Sequence, residues 1–329
     1  MSYQWPSTLS GIVFGYFEWN TKEIGQANQK SELEVPVMPL IHANGVELHY
    51  HLQGKGTSVI FVHPPCIASR VFTYVRNDLS QDHRTLLFDF RGHGRSASSA
   101  TPITIPLLAE DIRQLMDVLD IPSAYLCGYS LGSMVVLHAL LTYPQRFRGG
   151  ILLGGLAEVN TVKTRAKINA FLAAGTLRAQ RFMSFPIAWA NADNYQTYKR
   201  LRSETRSGDR AKWMEYMRSG LHYSVKDRLE DIRQPVLLIC GERDREYKAY
   251  MRELQQGLPN DSSAFMPGVR HILPAFGAGP VSELIRGWVD AQEERSSDAE
   301  ETLREGHEPD RLDFPYWEQQ DGDQPHTHL

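Results

Sequence analysis

Cysteine is scarce in this chain: three residues in 329, Cys66, Cys127 and Cys240. An odd number in so long a chain argues against a disulfide framework. Cys127 and Cys240 each end a predicted buried strand and read as reduced packing residues. No run of 18 apolar residues occurs, so no transmembrane helix is expected. The first 20 residues hold no lysine or arginine. Their aromatic-rich stretch, 12–17, is broken by Gly15 and followed by Glu18, a poor secretory signal. The expected location is the cytoplasm. Positive charge is not in surplus either, with 35 Lys+Arg against 39 Asp+Glu and a formal charge of −4. Neither a nucleic-acid partner nor a membrane is therefore expected.

What is present is an ordinary globular composition, 42% apolar and 22% charged. After a patternless segment, 1–37, read as an N-terminal appendage, strand and helix signals alternate. Residues 38–50 predict a β-hairpin turning at Asn44-Gly45. Short apolar runs at 58–62, 84–89, 124–127, 150–154, 235–240 and, weakly, 263–266 predict strands. Helices are predicted at 105–119, 133–141, 245–256 and 280–294, the first from apolar residues at 107, 108, 112, 115, 116 and 119. Buried strands alternating with helices imply a mostly parallel, doubly wound α/β sheet covered on both faces.

The pattern turns on Gly128-Tyr129-Ser130-Leu131-Gly132, set between the strand 124–127 and the helix 133–141. A Gly-x-Ser-x-Gly in that setting predicts a nucleophile elbow, a turn so tight that the serine is strained and its hydroxyl stands clear of the sheet. The Leu131 N–H then points where an oxyanion would form, at a helix N-terminus. A plain alternative is a serine that merely N-caps the helix.

Five ordered features together resemble the α/β-hydrolase superfamily over about residues 40–291. They are His63-Pro64-Pro65; Asp89-Phe90-Arg91-Gly92-His93-Gly94-Arg95-Ser96; the elbow; Gly241-Glu242-Arg243-Asp244; and Gly268-Val269-Arg270-His271. Within that superfamily the chain is similar to bacterial serine hydrolases whose oxyanion loop reads His-Pro-Pro. The resemblance implies an eight-stranded sheet with an inserted helical cap, and a triad in the order Ser…Asp…His. Ser130 is then the nucleophile and His271 its base. Asp244 is the acid that orients the imidazole, with Glu242 and Glu158 as rivals. His93 and His63 take structural roles by the same analogy.

One departure concerns the oxyanion hole. The second donor is commonly the second residue after the loop histidine, which here is Pro65, without an N–H. The Cys66 N–H is the expected replacement beside Leu131. Tyr129 and His222 are expected to line the substrate site.

The predicted domain boundaries are 38–156 and 232–291 for the two parts of the core, and 157–231 for the cap. Cap helices are expected at 162–177, 194–206 and 211–221. The cap's many bulky residues favour an apolar acyl or aromatic substrate. Residues 160–228 hold 14 Lys/Arg against 5 Asp/Glu. Residues 292–329 read as an acidic disordered tail, and their opposite charge suggests a tail–cap contact. The expected function is hydrolysis of a small ester, thioester, lactone or amide, with no metal or organic cofactor implied. The alternatives are a non-hydrolytic enzyme on the same scaffold (a perhydrolase or lyase) and a ligand receptor built on it.

Overall fold

The computed structural model describes residues 39–177 and 180–305. The appendage 1–37 and the segment 306–329 lie outside the described residues.

Short apolar runs form the centre of the sheet. In chain order the elements begin with β1 (Leu40–Ala43), β2 (Val46–Gln53), β3 (Ser58–Val62), α1 (Thr73–Leu79), β4 (Arg84–Phe88) and α2 (Ile105–Val118). Next come β5 (Ala124–Tyr129), α3 (Gly132–Thr142) and β6 (Phe147–Leu153). Four helices follow, α4 (Val162–Thr176), α5 (Gln180–Ala190), α6 (Tyr195–Ser207) and α7 (Arg210–His222). The chain then returns through β7 (Val236–Gly241), α8 (Arg245–Gly257), β8 (Asp261–Met266), α9 (Leu273–Phe276) and α10 (Ala278–Glu305).

The eight strands stand in the order β1-β2-β4-β3-β5-β6-β7-β8. β1, β2 and β4 pair antiparallel, and every pair from β4 across to β8 is parallel. Alternate residues of each strand enter opposite cores. Ile60, Val62, Leu126 and Leu238 pack with α2, α3 and α8, whereas Val59, Phe61, Tyr125 and Ile239 pack with α1 and α10. This two-sided burial is why the strands read as unbroken apolar runs rather than alternating ones. The connections diverge at β3, which has β4 on one side and β5 on the other. A crevice opens at the carboxyl ends of such strands, and Ser130 sits directly after β5.

Three helices are not apparent from the sequence, the four-residue α9 among them. α1 has only seven residues and no side-chain cap, and α5 carries Pro186 inside it, a residue that ordinarily breaks a helix. The expected tail boundary is also corrected, because α10 continues past 294 to Glu305. The stretch 292–305 holds five Glu and two Arg, good helix formers, and extending an established helix avoids the nucleation penalty.

The course of α10 is anchored at the far end of the sheet. Glu293 accepts hydrogen bonds from Thr57 Oγ1 at 2.9 Å, Tyr125 OH at 2.8 Å and Arg148 Nη1 at 2.6 Å. These three lie at the beginnings of β3, β5 and β6, the end of the sheet opposite Ser130. Beyond Glu293 the helix runs on for about 18 Å. The segment 306–329, and with it the expected tail–cap contact, lies outside the described residues.

The turn 89–96 is tied down by one buried carboxylate. Asp89 accepts from Ser69 N at 2.9 Å, Ser69 Oγ at 2.7 Å, Arg95 N at 3.0 Å and His49 Nδ1 at 2.9 Å. Burial works against its charge, but the hydrogen bonds from His49 and Ser69 outweigh that and hold the carboxyl below the usual carboxylate range. We expect Asp89→Ala to lower unfolding free energy by about 3–5 kcal/mol, measured by urea denaturation. Because the folded pKa is depressed, the stabilisation from Asp89 is present above its unfolded pKa of about 4 and is lost as pH falls below it. The gap between wild type and variant should therefore narrow in acid.

Candidate active site

The elbow is built by close approach. A Cβ at Gly132 would stand 2.4 Å from Val62 O, and one at Gly128 would stand 2.7 Å from Val136 Cγ2. Only glycines let the ends of β3, β5 and α3 meet here. Ser130 between them has φ +53°, the left-handed region that L-residues avoid. The strained peptide is held by Ser130 N donating to Leu153 O at 3.0 Å. Ser133 Oγ also donates to Ser130 O at 2.6 Å.

Ser130 Oγ lies 3.0 Å from His271 Nε2. His271 comes from the loop between β8 and α9, and its other nitrogen, Nδ1, is 3.2 Å from Asp244 Oδ2. That separation is within ion-pair reach, although the N–H is not aimed along the hydrogen-bonding line. Neither buried atom has another polar partner. Asp244 is also the N-cap of α8, its Oδ1 accepting from Tyr247 N at 3.2 Å. The residues expected as nucleophile, base and acid are thus brought together from the ends of β5, β8 and β7.

The rival acids are elsewhere. Glu242 is exposed and accepts from Gly268 N at 2.8 Å, which holds the turn before His271. Glu158 is engaged by Ser224 and Lys226. Two buried histidines have structural partners. His63 Nε2 accepts from Phe90 N at 3.0 Å, so Nδ1 carries the hydrogen donated to the Pro64 carbonyl at 2.9 Å. His93 Nδ1 is 3.1 Å from Arg91 O, and burial lowers its pKa to about 3.

The loop 63–66 lies against the elbow where Gly132 meets the Val62–His63 backbone. Cys66 follows Pro65 with φ +68°. Its thiol is buried, and burial pushes its pKa up, so it stays protonated. Among the described residues, neither the Leu131 nor the Cys66 backbone N–H meets an acceptor in the protein.

The two residues expected to line the substrate site differ in exposure. Tyr129 is buried, with its ring 5.2 Å from that of His271 and its hydroxyl donating to Asn191 Oδ1 at 3.3 Å. His222 is exposed at the end of α7 and lines a surface groove with Ile103, Thr104, Pro106 and Arg218. The buried stripe of α7 runs through Trp213, Tyr216, Met217 and Gly220, and ends at Leu221.

Two residues not anticipated from the sequence complete the site. Tyr247 stacks on His271, centroids 3.7 Å apart and planes 23° apart, with its hydroxyl 3.3 Å from Ser130 Oγ. A tyrosine in the first turn of a helix carries no signal that separates it from packing. Gly154, just after β6, has φ +55°, and a Cβ there would stand 2.7 Å from His271 Nδ1. The imidazole is therefore held between Tyr247 and a backbone that admits only glycine. Among the described residues, no helix is long and apolar enough to cross a membrane.

Comparison with known proteins agrees with this fold. A family model described as the alpha/beta hydrolase fold matches residues 57–277. A RutD protein of Azorhizobium caulinodans, whose name gives carbamate hydrolysis as a provisional activity, is 23% identical over 260 residues, 76% of this chain and 98% of that protein. Among solved structures, the enol-lactonase from Burkholderia xenovorans LB400 superposes with a TM-score of 0.69 at 20% identity, covering 77% of this chain and all (100%) of that one. A thermophilic esterase from Thermogutta terrifontis gives a TM-score of 0.68 at 19% identity, covering 77% of this chain and 98% of its own. The two solved structures bear on the fold.

Gly154→Ala tests the packing of His271. The new methyl group must displace the imidazole, so we expect hydrolysis of p-nitrophenyl acetate to fall by about 100-fold. The Ser130→Ala protein provides the blank.

Proposed function

The chain belongs to the alpha/beta hydrolase fold family, and from that premise we propose that it is a serine hydrolase working through an acyl-enzyme on Ser130. Its substrate is a small ester, thioester, lactone or amide. The observation that carries the reading is the 3.0 Å approach of His271 Nε2 to Ser130 Oγ, with Asp244 behind the same ring.

A serine hydroxyl is a weak nucleophile near neutral pH and needs a base. In the proposed cycle His271 Nε2 takes the Oγ proton as Oγ bonds to the acyl carbon. The Asp244 carboxylate keeps the Nδ1–H tautomer in place and stabilises the imidazolium. The Leu131 and Cys66 N–H groups receive the oxyanion, Cys66 standing in for the N–H that Pro65 lacks. His271 passes its proton to the leaving group, and water then cleaves the acyl-enzyme with the same base. Support for the two donors is their lack of any other acceptor.

Support for an apolar acyl or aromatic substrate comes from the helices inserted between β6 and β7, read here as a cap. α7 lies against the elbow, with Gly220 packed on the Leu131 side chain. Carbamate, lactone and ester chemistry all appear among the names of the similar proteins, and all proceed by attack on an acyl carbon.

A fluorophosphonate should label the wild type, and Ser130→Ala and His271→Ala should each abolish labelling with little change in Tm. Full labelling of Ser130→Ala would refute the assignment. Asp244→Asn should lower kcat by about 1,000–10,000-fold. An inactive Glu242→Gln beside an active Asp244→Asn would place the acid elsewhere.

A further inference from the structure

The phenol of Tyr247 contacts the reacting oxygen, yet the cycle above gives it no task. Its ring lies flat on His271 and its hydroxyl is 3.3 Å from Ser130 Oγ. Asp244 governs both partners, because Oδ1 accepts from Tyr247 N while Oδ2 faces His271 Nδ1. The phenol and the imidazole are therefore aimed at Oγ by one carboxylate.

The direction of the phenol contact follows from counting hydrogens. Ser130 Oγ has one hydrogen to give. A carboxylate beside Nδ1 keeps the imidazole hydrogen on that nitrogen, leaving Nε2 as an acceptor. Oγ then donates to Nε2 across 3.0 Å, and the remaining contact has to be a donation from Tyr247 to Oγ. Burial pushes the phenol pKa up, so its hydrogen stays in place.

Resting on the serine-hydrolase reading, we propose that the Tyr247 hydroxyl is a catalytic hydrogen-bond donor to Ser130 Oγ whose effect falls mainly on deacylation. Only an interaction that strengthens between ground state and transition state accelerates a step. In the free enzyme Oγ already accepts from Tyr247, so acylation starts with the bond made and gains little from it. In the acyl-enzyme Oγ is an ester oxygen, a much weaker acceptor.

Water then gives its proton to His271 Nε2 while its oxygen bonds to the acyl carbon. When the tetrahedral adduct collapses, the carbon–Oγ bond breaks and Oγ leaves with the electron pair. The proton held on Nε2 passes to Oγ. Negative charge grows on Oγ during that departure, and donation from Tyr247 strengthens with it. The phenol keeps its own proton throughout.

Tyr247→Phe keeps the stack on His271 and removes only the hydroxyl. In stopped-flow mixing of the full-length protein with p-nitrophenyl acetate, the burst rate should stay within about threefold of wild type. The steady-state rate should fall by about 10–100-fold, with the burst amplitude rising towards one acyl group per protein. Fluorophosphonate labelling of the variant should match wild type, showing that the Ser130–His271 pair is intact. A variant equal to wild type in both phases, or one slowed chiefly in the burst, overturns the role of Tyr247. A wild-type protein that takes no fluorophosphonate overturns the serine-hydrolase reading, and this proposal with it.

Discussion

The left-handed backbone at Ser130 is the constraint on which the site depends. Such a conformation costs about 1–3 kcal/mol for a residue other than glycine. It persists because the surroundings leave no alternative. β5 delivers the chain into a crowded gap, and α3 departs at once with Val135, Val136 and Leu137 fully buried. Gly128 and Gly132 pass between neighbours where no side chain fits. The Ser130 peptide is hydrogen-bonded to the end of β6 and to Ser133. Packing energy from the whole centre of the sheet thus holds one hydroxyl clear of it.

A second constraint acts on the partner ring. His271 sits on a loop, the least rigid kind of support, yet it is gripped by Tyr247 on one face and by Gly154 beside Nδ1. Asp244 faces Nδ1 and also caps the helix that carries Tyr247. The Asp244 carboxylate, the stacking ring and the imidazole are therefore linked by shared contacts. Substitutions of groups in mutual contact are not expected to add independently.

Much of the fold was legible because strands buried on both faces show as continuous apolar runs, as at 58–62 and 235–240. The elbow was legible because glycines at a tight crossing have no substitute, and Asp244 and His271 were singled out by the order that the family resemblance implies and by their places after β7 and β8. Tyr247 was not, since stacking on a residue 24 positions away leaves no local trace. Gly154 was missed for the same reason: the side chain it makes room for is distant in sequence. The burial of Tyr129 and the exposure of His222 were not legible, because exposure is decided by which face of a helix or strand packs inward. Pro186 hid α5, and the acidic run after 290 concealed a helix that continues from a well-packed one.

Intact-protein mass spectrometry of wild type quenched in acid during turnover of p-nitrophenyl acetate bears most directly on the central claim. An adduct of one acetyl group should appear and decay, and peptide mapping should locate it on Ser130. Turnover without an adduct on Ser130 under conditions that trap the burst, or an adduct on another residue with the same kinetics, would contradict the account.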